Sequence, residues 1–158
     1  MSAIKEKMII GSNICSDILS FLGSASPTQV IIFTQKKVQV TAGELLEKII
    51  KESNAKLIVL EDGEKSKDIK SAMRSVFQLA QISADRETLL VAYGGGSVSD
   101  HVGFIASIFK RGVRYINIPT TLIGMIDASI GGKTALNMER IKNQIGTFYQ
   151  PSKIFIDL

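Results

Sequence analysis

The chain has 158 residues, 45% of them hydrophobic and 22% charged, with a formal net charge of +4. That balance describes one folded domain with a real core and excludes a disordered tail. The Lys and Arg are scattered, Trp is absent and aromatics make up 6%, so the chain lacks the basic patch and stacking platform of a nucleic-acid binder. An anionic small molecule accounts for the basic excess equally well. The lone cysteine, Cys15, excludes an internal disulfide, fits a reducing compartment and reads as a small buried hydrophobe. Lys5 and Lys7 precede an apolar stretch, but Ser12, Asn13 and Asp17 interrupt it too early for a signal peptide. No apolar run approaches the ~18 residues of a membrane span. A cytoplasmic protein with no membrane partner is expected.

In chain order, residues 4–10 predict a first strand and Ser16–Leu22 a short helix, followed by the breaker cluster Gly23 to Pro27. Val30-Ile31-Ile32-Phe33 is a continuous apolar run, as in a strand covered on both faces. Thr41-x-x-Glu44 has capping-box spacing and opens a helix with Leu45, Leu46, Ile49 and Ile50 on one stripe. Leu57 to Leu60 predicts another buried strand. Ser66 is placed to cap the next helix, whose apolar stripe is Ile69, Met73, Val76, Phe77 and Ala80. Thr88–Tyr93 is a strand leading into Gly94-Gly95-Gly96, and the helix after it carries Val98, Val102, Ile105 and Phe109, with Gly103 at a close-packing position. Tyr115–Ile118 is a strand stopped by Pro119. Gly124–Gln150 is expected to form a helix, a glycine turn and a second short helix, and Ile154–Ile156 a final strand. Alternating strands and helices with short connections predict an α/β, Rossmann-like fold whose mainly parallel sheet has helices on both faces.

Ligands of such sheets sit at the carboxyl ends of the strands. Asp62-Gly63-Glu64, Gly94–Gly96 and Thr120-Thr121 all fall there. Glycines after an apolar strand let backbone approach a ligand closely, and a helix opening at that turn aims free N–H groups at an anion. Ser97-x-x-Asp100 supplies a cap followed by an acid. A dinucleotide or a phosphate fits, and the glycines alone do not choose. Lys133-Thr134 after Gly131-Gly132 has the ending of a phosphate-binding P-loop, but the required first glycine is Asp127. Lys133 and Lys142 are either solvated charges or functional cations, and Asp127 either a cap partner or a functional carboxylate. His101 is read as a surface or capping residue. With one His and one Cys, no His/Cys metal cluster can be assembled.

The ordered series Asp62-Gly63-Glu64-x-x-Lys67, Gly94–Asp100, Gly103-Phe104, Arg111-Gly112, Pro119–Leu122, Asp127–Thr134, Lys142-Asn143 and Ile145-Gly146-x-Phe148-x-Gln150-Pro151 resembles the 3-dehydroquinate synthases, within the sugar-phosphate cyclases. The resemblance is dense from Asp62 to Leu158. It implies an enzyme of the shikimate pathway of aromatic amino acid biosynthesis, a phosphate-eliminating carbon-oxygen lyase. The substrate, 3-deoxy-arabino-heptulosonate 7-phosphate, becomes 3-dehydroquinate plus phosphate. NAD is used and regenerated in each turnover: a ring hydroxyl is oxidised, phosphate is eliminated from beside the new ketone, the hydride returns, and the ring opens and recloses. The cofactor's hydride chemistry is its own, and the protein supplies position and charge.

By matching position, the resemblance implies cofactor contacts from Asp62, Gly63, Glu64, Lys65, Ser66, Lys67, Gly95, Gly96, Ser97, Val98, Ser99, Asp100, Thr120, Thr121, Lys133 and Lys142. It implies catalytic roles for Asp127, Lys133, Asn143 and Arg111. Three residues depart from the family's usual pattern: Ser99 and Ile141 stand where glycine is usual, and Gln35 where an Asp or Asn approaches the adenosine ribose. The implied organisation is an N-terminal NAD-binding domain over residues 1–158. A C-terminal helical domain outside this chain carries the Glu and His ligands of a zinc or cobalt ion. The full-length enzyme is then a homodimer, and residues 1–158 alone are expected to be inert. Other sugar-phosphate cyclases, a glycerol-dehydrogenase relative and a non-catalytic NAD-binding module are the alternatives.

Overall fold

The computed structural model describes residues 7–139 and 141–158. Its strands are β1 (Met8–Gly11), β2 (Val30–Gln35), β3 (Lys56–Leu60), β4 (Leu89–Gly94), β5 (Arg114–Pro119), β6 (Lys133–Met138), β7 (Ile141–Phe148) and β8 (Lys153–Asp157). The α-helices are α1 (Cys15–Ala25), α2 (Lys36–Thr41), α3 (Gly43–Ser53), α4 (Ile69–Gln81) and α5 (Gly96–Ile108). The part of the expected first strand before Lys7 lies outside the described residues.

Six strands form one sheet in the order β1-β8-β5-β4-β2-β3, and every pairing in it is parallel. The chain steps outward from β2 to β3, then returns to the other side of β2 to lay down β4. The order therefore reverses between β2 and β4, which opens a crevice beyond their carboxyl ends. All six residues of β2 and all six of β4 are buried, as continuous apolar strands between two helical layers must be. One layer holds α1, α2 and α3, through Ile18, Leu22, Val38, Leu46 and Ile49. The other holds α4 and α5, through Ala72, Leu79, Val98, Val102 and Ile105. The doubly covered Rossmann-like sheet read from the sequence is the one observed.

Several local expectations are corrected. β3 is not a buried strand: it lies at the sheet edge with Val59 49% exposed, having only β2 as a neighbour. Thr41 caps nothing. It closes α2, its hydroxyl donating to the Lys37 carbonyl, and α3 begins after Ala42 without a side-chain cap. Asp68, not Ser66, caps α4 by accepting from the Lys70 amide. The face α4 buries is Ser71, Ala72, Ser75 and Leu79, while Met73 and Phe77 are exposed. Small residues face α5 there because Ser75 must reach a polar partner on it. Finally, residues 133–148 form an antiparallel hairpin, β6 with β7, in place of a second helix. Thr134 and Leu136 alternate as buried residues with exposed Lys133 and half-buried Ala135, a period of two that a helix cannot accommodate.

The hairpin lies along α5. A side chain at Gly103 would overlap Thr134 and come within 3.1 Å of the Tyr115 hydroxyl, which explains the glycine mid-helix. His101 is not a surface residue. It is fully buried; its Nδ1 lies 2.6 Å from the Ser66 carbonyl and its Nε2 lies 2.8 Å from the Ser75 hydroxyl. A carbonyl only accepts, so Nδ1 carries the proton and Nε2 accepts from Ser75. Burial depresses the imidazole from 6.5 to about 4.

The folded chain thus keeps His101 neutral while the unfolded chain protonates it. Its stabilising contribution is complete above pH 6.5 and falls away toward pH 4, by up to about 3 kcal/mol. Urea titrations across that window are expected to show a steeper loss for the wild type than for His101→Gln. Parallel losses would contradict a neutral buried imidazole.

Candidate functional site

Three turns meet at the carboxyl edge of the sheet. The first follows β3 as a 3-10 turn, Gly63–Lys67. The second is the glycine turn after β4, and the third is Thr120-Thr121 after β5, which reaches that edge because Gly94 pairs with Pro119. The Thr120 amide donates to the Gly94 carbonyl at 3.0 Å, fixing the third turn against the second.

The glycine turn differs from its expected form in one respect. Ser97 is not the cap: α5 starts at Gly96, its cap is Gly95, and no side chain bonds that end. The amides of Val98 and Ser99 both donate to the Gly95 carbonyl, which leaves those of Gly96 and Ser97 as the open donors of a 13-residue helix. A side chain at Gly95 would come within 3.2 Å of Thr121, and one at Gly96 within 3.1 Å of Ala128. Backbone alone therefore lines this turn, the condition for close approach of a pyrophosphate. Ser99 is buried with its hydroxyl unpartnered, as are the Ser129 hydroxyl and the Asn117 side-chain oxygen.

Beside the turn lies a polar clasp. Lys67 Nζ is 2.6 Å from Asp100 Oδ2 and 2.9 Å from Asn143 Oδ1, so the 3-10 turn, α5 and the hairpin share one ammonium. Lys67 is buried, a position lysine holds only when paired. Burial pushes the Asp100 carboxyl up, and the bond from Lys67 opposes that shift. Asn143 has a φ of 55°, a conformation asparagine tolerates better than most residues. Its amide donates to Asn137 Oδ1, and Asn137 Nδ2 donates to Glu64 Oε2 at 3.2 Å.

Two supporting residues escaped assignment in the sequence. Gln35, fully inside the carboxyl end of β2, donates from Nε2 to the Glu61 and Gly63 carbonyls at 2.9 and 3.0 Å. The same atom lies 3.1 Å from the Ser66 hydroxyl and 3.4 Å from that of Ser97. His101 holds the same residue through the Ser66 carbonyl. Gln35 and His101 were legible only as single polar residues, because their partners are far away in sequence.

The structure gathers Asp62, Gly63, Glu64, Lys65, Ser66 and Lys67 with Gly95, Gly96, Ser97, Asp100, Thr120, Thr121, Lys142 and Asn143 around this edge. Asp127 follows in an exposed π-helical turn, Gly124–Ala128, which packs on α5 where Ala128 meets Gly96. Lys133 is exposed at the end of the hairpin remote from Lys142 and Asn143; the 6-residue length of β6 separates those ends by about 17 Å. Arg111 lies past the far end of α5, about 20 Å from the glycine turn at 1.5 Å per residue, so a single chain does not bring it to the others. Among the described residues, no group of three or more His, Cys, Asp or Glu side chains could hold a metal, and no helix is long and apolar enough to cross a membrane.

A sequence profile for the 3-dehydroquinate synthase N-terminal region matches residues 57–158. The 3-dehydroquinate synthase of Sulfurisphaera tokodaii is 42% identical over 154 residues, 95% of this chain and 44% of that protein. The chain belongs to the 3-dehydroquinate synthase family. It spans less than half the length of that relative. Its fold also matches a 2-epi-5-epi-valiolone synthase from Streptomyces hygroscopicus with NAD+ and Zn2+ bound, at a TM-score of 0.79 and 28% identity over 95% of this chain and 42% of that one. A 2-deoxy-scyllo-inosose synthase complexed with carbaglucose-6-phosphate, NAD+ and Co2+ superposes with a TM-score of 0.84 over the same shares; at 24% identity that likeness shows the fold alone.

Removing one partner of a buried pair leaves the other charge uncompensated, so Lys67→Ala is expected to cost about 3–5 kcal/mol in urea unfolding. Adding Asp100→Asn should recover much of it. A loss below about 1 kcal/mol would mean that the pair is screened like a surface ion pair.

Proposed function

We propose that this chain is the NAD-binding part of a 3-dehydroquinate synthase, and that with the remainder of such an enzyme it converts 3-deoxy-arabino-heptulosonate 7-phosphate to 3-dehydroquinate and phosphate. The observation that carries this reading is the open first turn of α5 at the β2/β4 crevice, inside the stretch that matches the family. When bound, NAD supplies a hydride acceptor and donor. The chain's own residues bind and orient. The Gly96 and Ser97 amides face the pyrophosphate, Val98 and Ser99 hold the turn through Gly95, and Asp62, Glu64, Thr120 and Thr121 offer acceptors and hydroxyls to the ribose groups. Lys67 and Asp100, each engaged by the other, keep the Asp62–Lys67 turn, with Lys65 and Ser66, at a fixed distance from the glycines.

The substrate is an anion, and charge-assisted donors suit it. Lys142, next to the clasp, is offered to the cofactor, Asn143, within the clasp, to the substrate end, and Asp127, exposed on its turn, as an acceptor of a proton or a hydroxyl bond. Lys133 and Arg111 serve the substrate's phosphate and carboxylate only if they are carried closer than a single chain brings them. The divalent ion of the family finds no ligand group among the described residues, so no step is assigned to it. The same reading implies a homodimeric, cytoplasmic full-length enzyme acting on a small sugar-acid phosphate, without nucleic-acid or membrane partners.

Calorimetric titration of NAD+ into the chain is expected to show saturable binding, weakened about tenfold by Lys142→Ala, the loss of one charge-assisted contact. The chain alone should form no dehydroquinate. Absence of NAD+ binding, or turnover by this chain without further sequence, would overturn the assignment.

A further inference from the structure

Beneath the glycine turn, three side-chain oxygens have no hydrogen-bond partner among the described residues: the Ser99 and Ser129 hydroxyls and Asn117 Oδ1. Their residues are 3%, 0% and 1% exposed, in that order, so bulk solvent does not reach them. A buried polar group left bare costs stability, and folded proteins rarely leave one so. The obvious local acceptor is taken. A helical serine can bond the carbonyl four residues back, but the Gly95 carbonyl already accepts from the Val98 and Ser99 amides. Asn117 Nδ2 donates to the Ser129 carbonyl at 3.0 Å, which orients that amide and leaves Oδ1 as a pure acceptor.

The three atoms converge. Gly96, Ser99 and Gly103 share one face of α5 at helical spacing. A side chain at Gly96 would lie 3.1 Å from Ala128, and one at Gly103 would lie 3.1 Å from the Tyr115 hydroxyl. Ser99 falls between them on that face. α5 and β5 run in opposite directions, as a crossover helix and its strand do. From Gly103 to Ser99 is a step of about 6 Å toward the carboxyl edge. From Tyr115 to Asn117 is a step of about 7 Å the same way, on the same face of the sheet. Ser99 therefore stands over Asn117, and Ser129, next to Ala128 and already bonded to Asn117, closes the group.

Two of these groups can donate, Asn117 Oδ1 only accepts, and none bonds another directly. One water accepting from both serines and donating to Asn117 makes the three bonds usual for a buried water. A cation in the same place would bring a charge that three neutral oxygens do not compensate. We propose that Ser99, Asn117 and Ser129 bind one internal water beneath the glycine turn, and that this water ties the first turn of α5 to the turn carrying Asp127. Ser99 and Asn117 are thereby positioning residues for that turn. The inference goes beyond the cofactor reading and stands whatever the crevice binds.

A crystal structure of the chain, at a resolution that shows ordered water, tests this without any variant. One water within about 3.2 Å of Ser99 Oγ, Asn117 Oδ1 and Ser129 Oγ is expected. Direct bonds among the three side chains, or a water that reaches fewer than all three, overturns the proposal. Urea midpoints of Ser99→Ala, Ser129→Ala and the double variant supply a second measurement. Both hydroxyls serve the same water, so the double variant is expected to lose less than the sum of the two single losses. Additive losses overturn the shared site. In amide NMR spectra, Ser99→Ala should also move the Asn117 side-chain amide and the backbone amides of Ser129 and Ile130. Unchanged resonances there overturn the tie to the Asp127 turn, even with the water in place.

Discussion

The edge of the sheet is held in shape by one ammonium group. Lys67 reaches out of the 3-10 turn after β3 to Asp100 on the second turn of α5 and to Asn143 on the hairpin. Three segments that are distant in sequence thus meet at a single buried charge. A buried ion pair is a weak source of net stability, because desolvation offsets most of its attraction. What it does supply is geometry, since either charge without the other would be costly. The Ala135 amide also favours the ionised form of Asp100, so the hairpin bears on the same carboxylate. Gln35 and His101 complete the arrangement by holding Ser66, the neighbour of Lys67, at its hydroxyl and at its carbonyl.

Around this clasp the chain keeps backbone where side chains would obstruct. Gly95 and Gly96 admit Thr121 and Ala128, Gly103 admits the hairpin, and the small residues of α4 admit His101. Close approach is the common theme. It places the open end of α5 at the one crevice where strand order reverses, and parallel α/β sheets take their ligands there.

The sequence disclosed the sheet well because β2 and β4 are continuous apolar runs, a pattern that only double coverage produces. It disclosed the hairpin poorly. The buried alternation at Thr134 and Leu136 is short, and the glycines before it suggested a turn between helices. α4 misled in a different way: its most apolar stripe, through Met73 and Phe77, is not the stripe that it buries. Local periodicity could not reveal that Ser75 faces His101, because a polar contact between helices overrides an apolar preference. The candidate site was legible wherever it is built from adjacent residues, as in Asp62–Lys67, Gly94–Asp100 and Lys142-Asn143. The contributions of Gln35, Asn137 and His101 depend on partners dozens of residues away, and no spacing rule announces them.

The most direct measurement is a two-dimensional amide NMR spectrum of the chain recorded with increasing NAD+. The open first turn of α5 is expected to respond first, with the largest shifts at Gly95, Gly96 and Ser97 and smaller ones at Asp62–Lys67 and Thr120-Thr121. Shifts concentrated elsewhere, for instance on the exposed Met73 and Phe77 face of α4, or none at all at saturating cofactor, would contradict the claim that the glycine turn is the dinucleotide's seat.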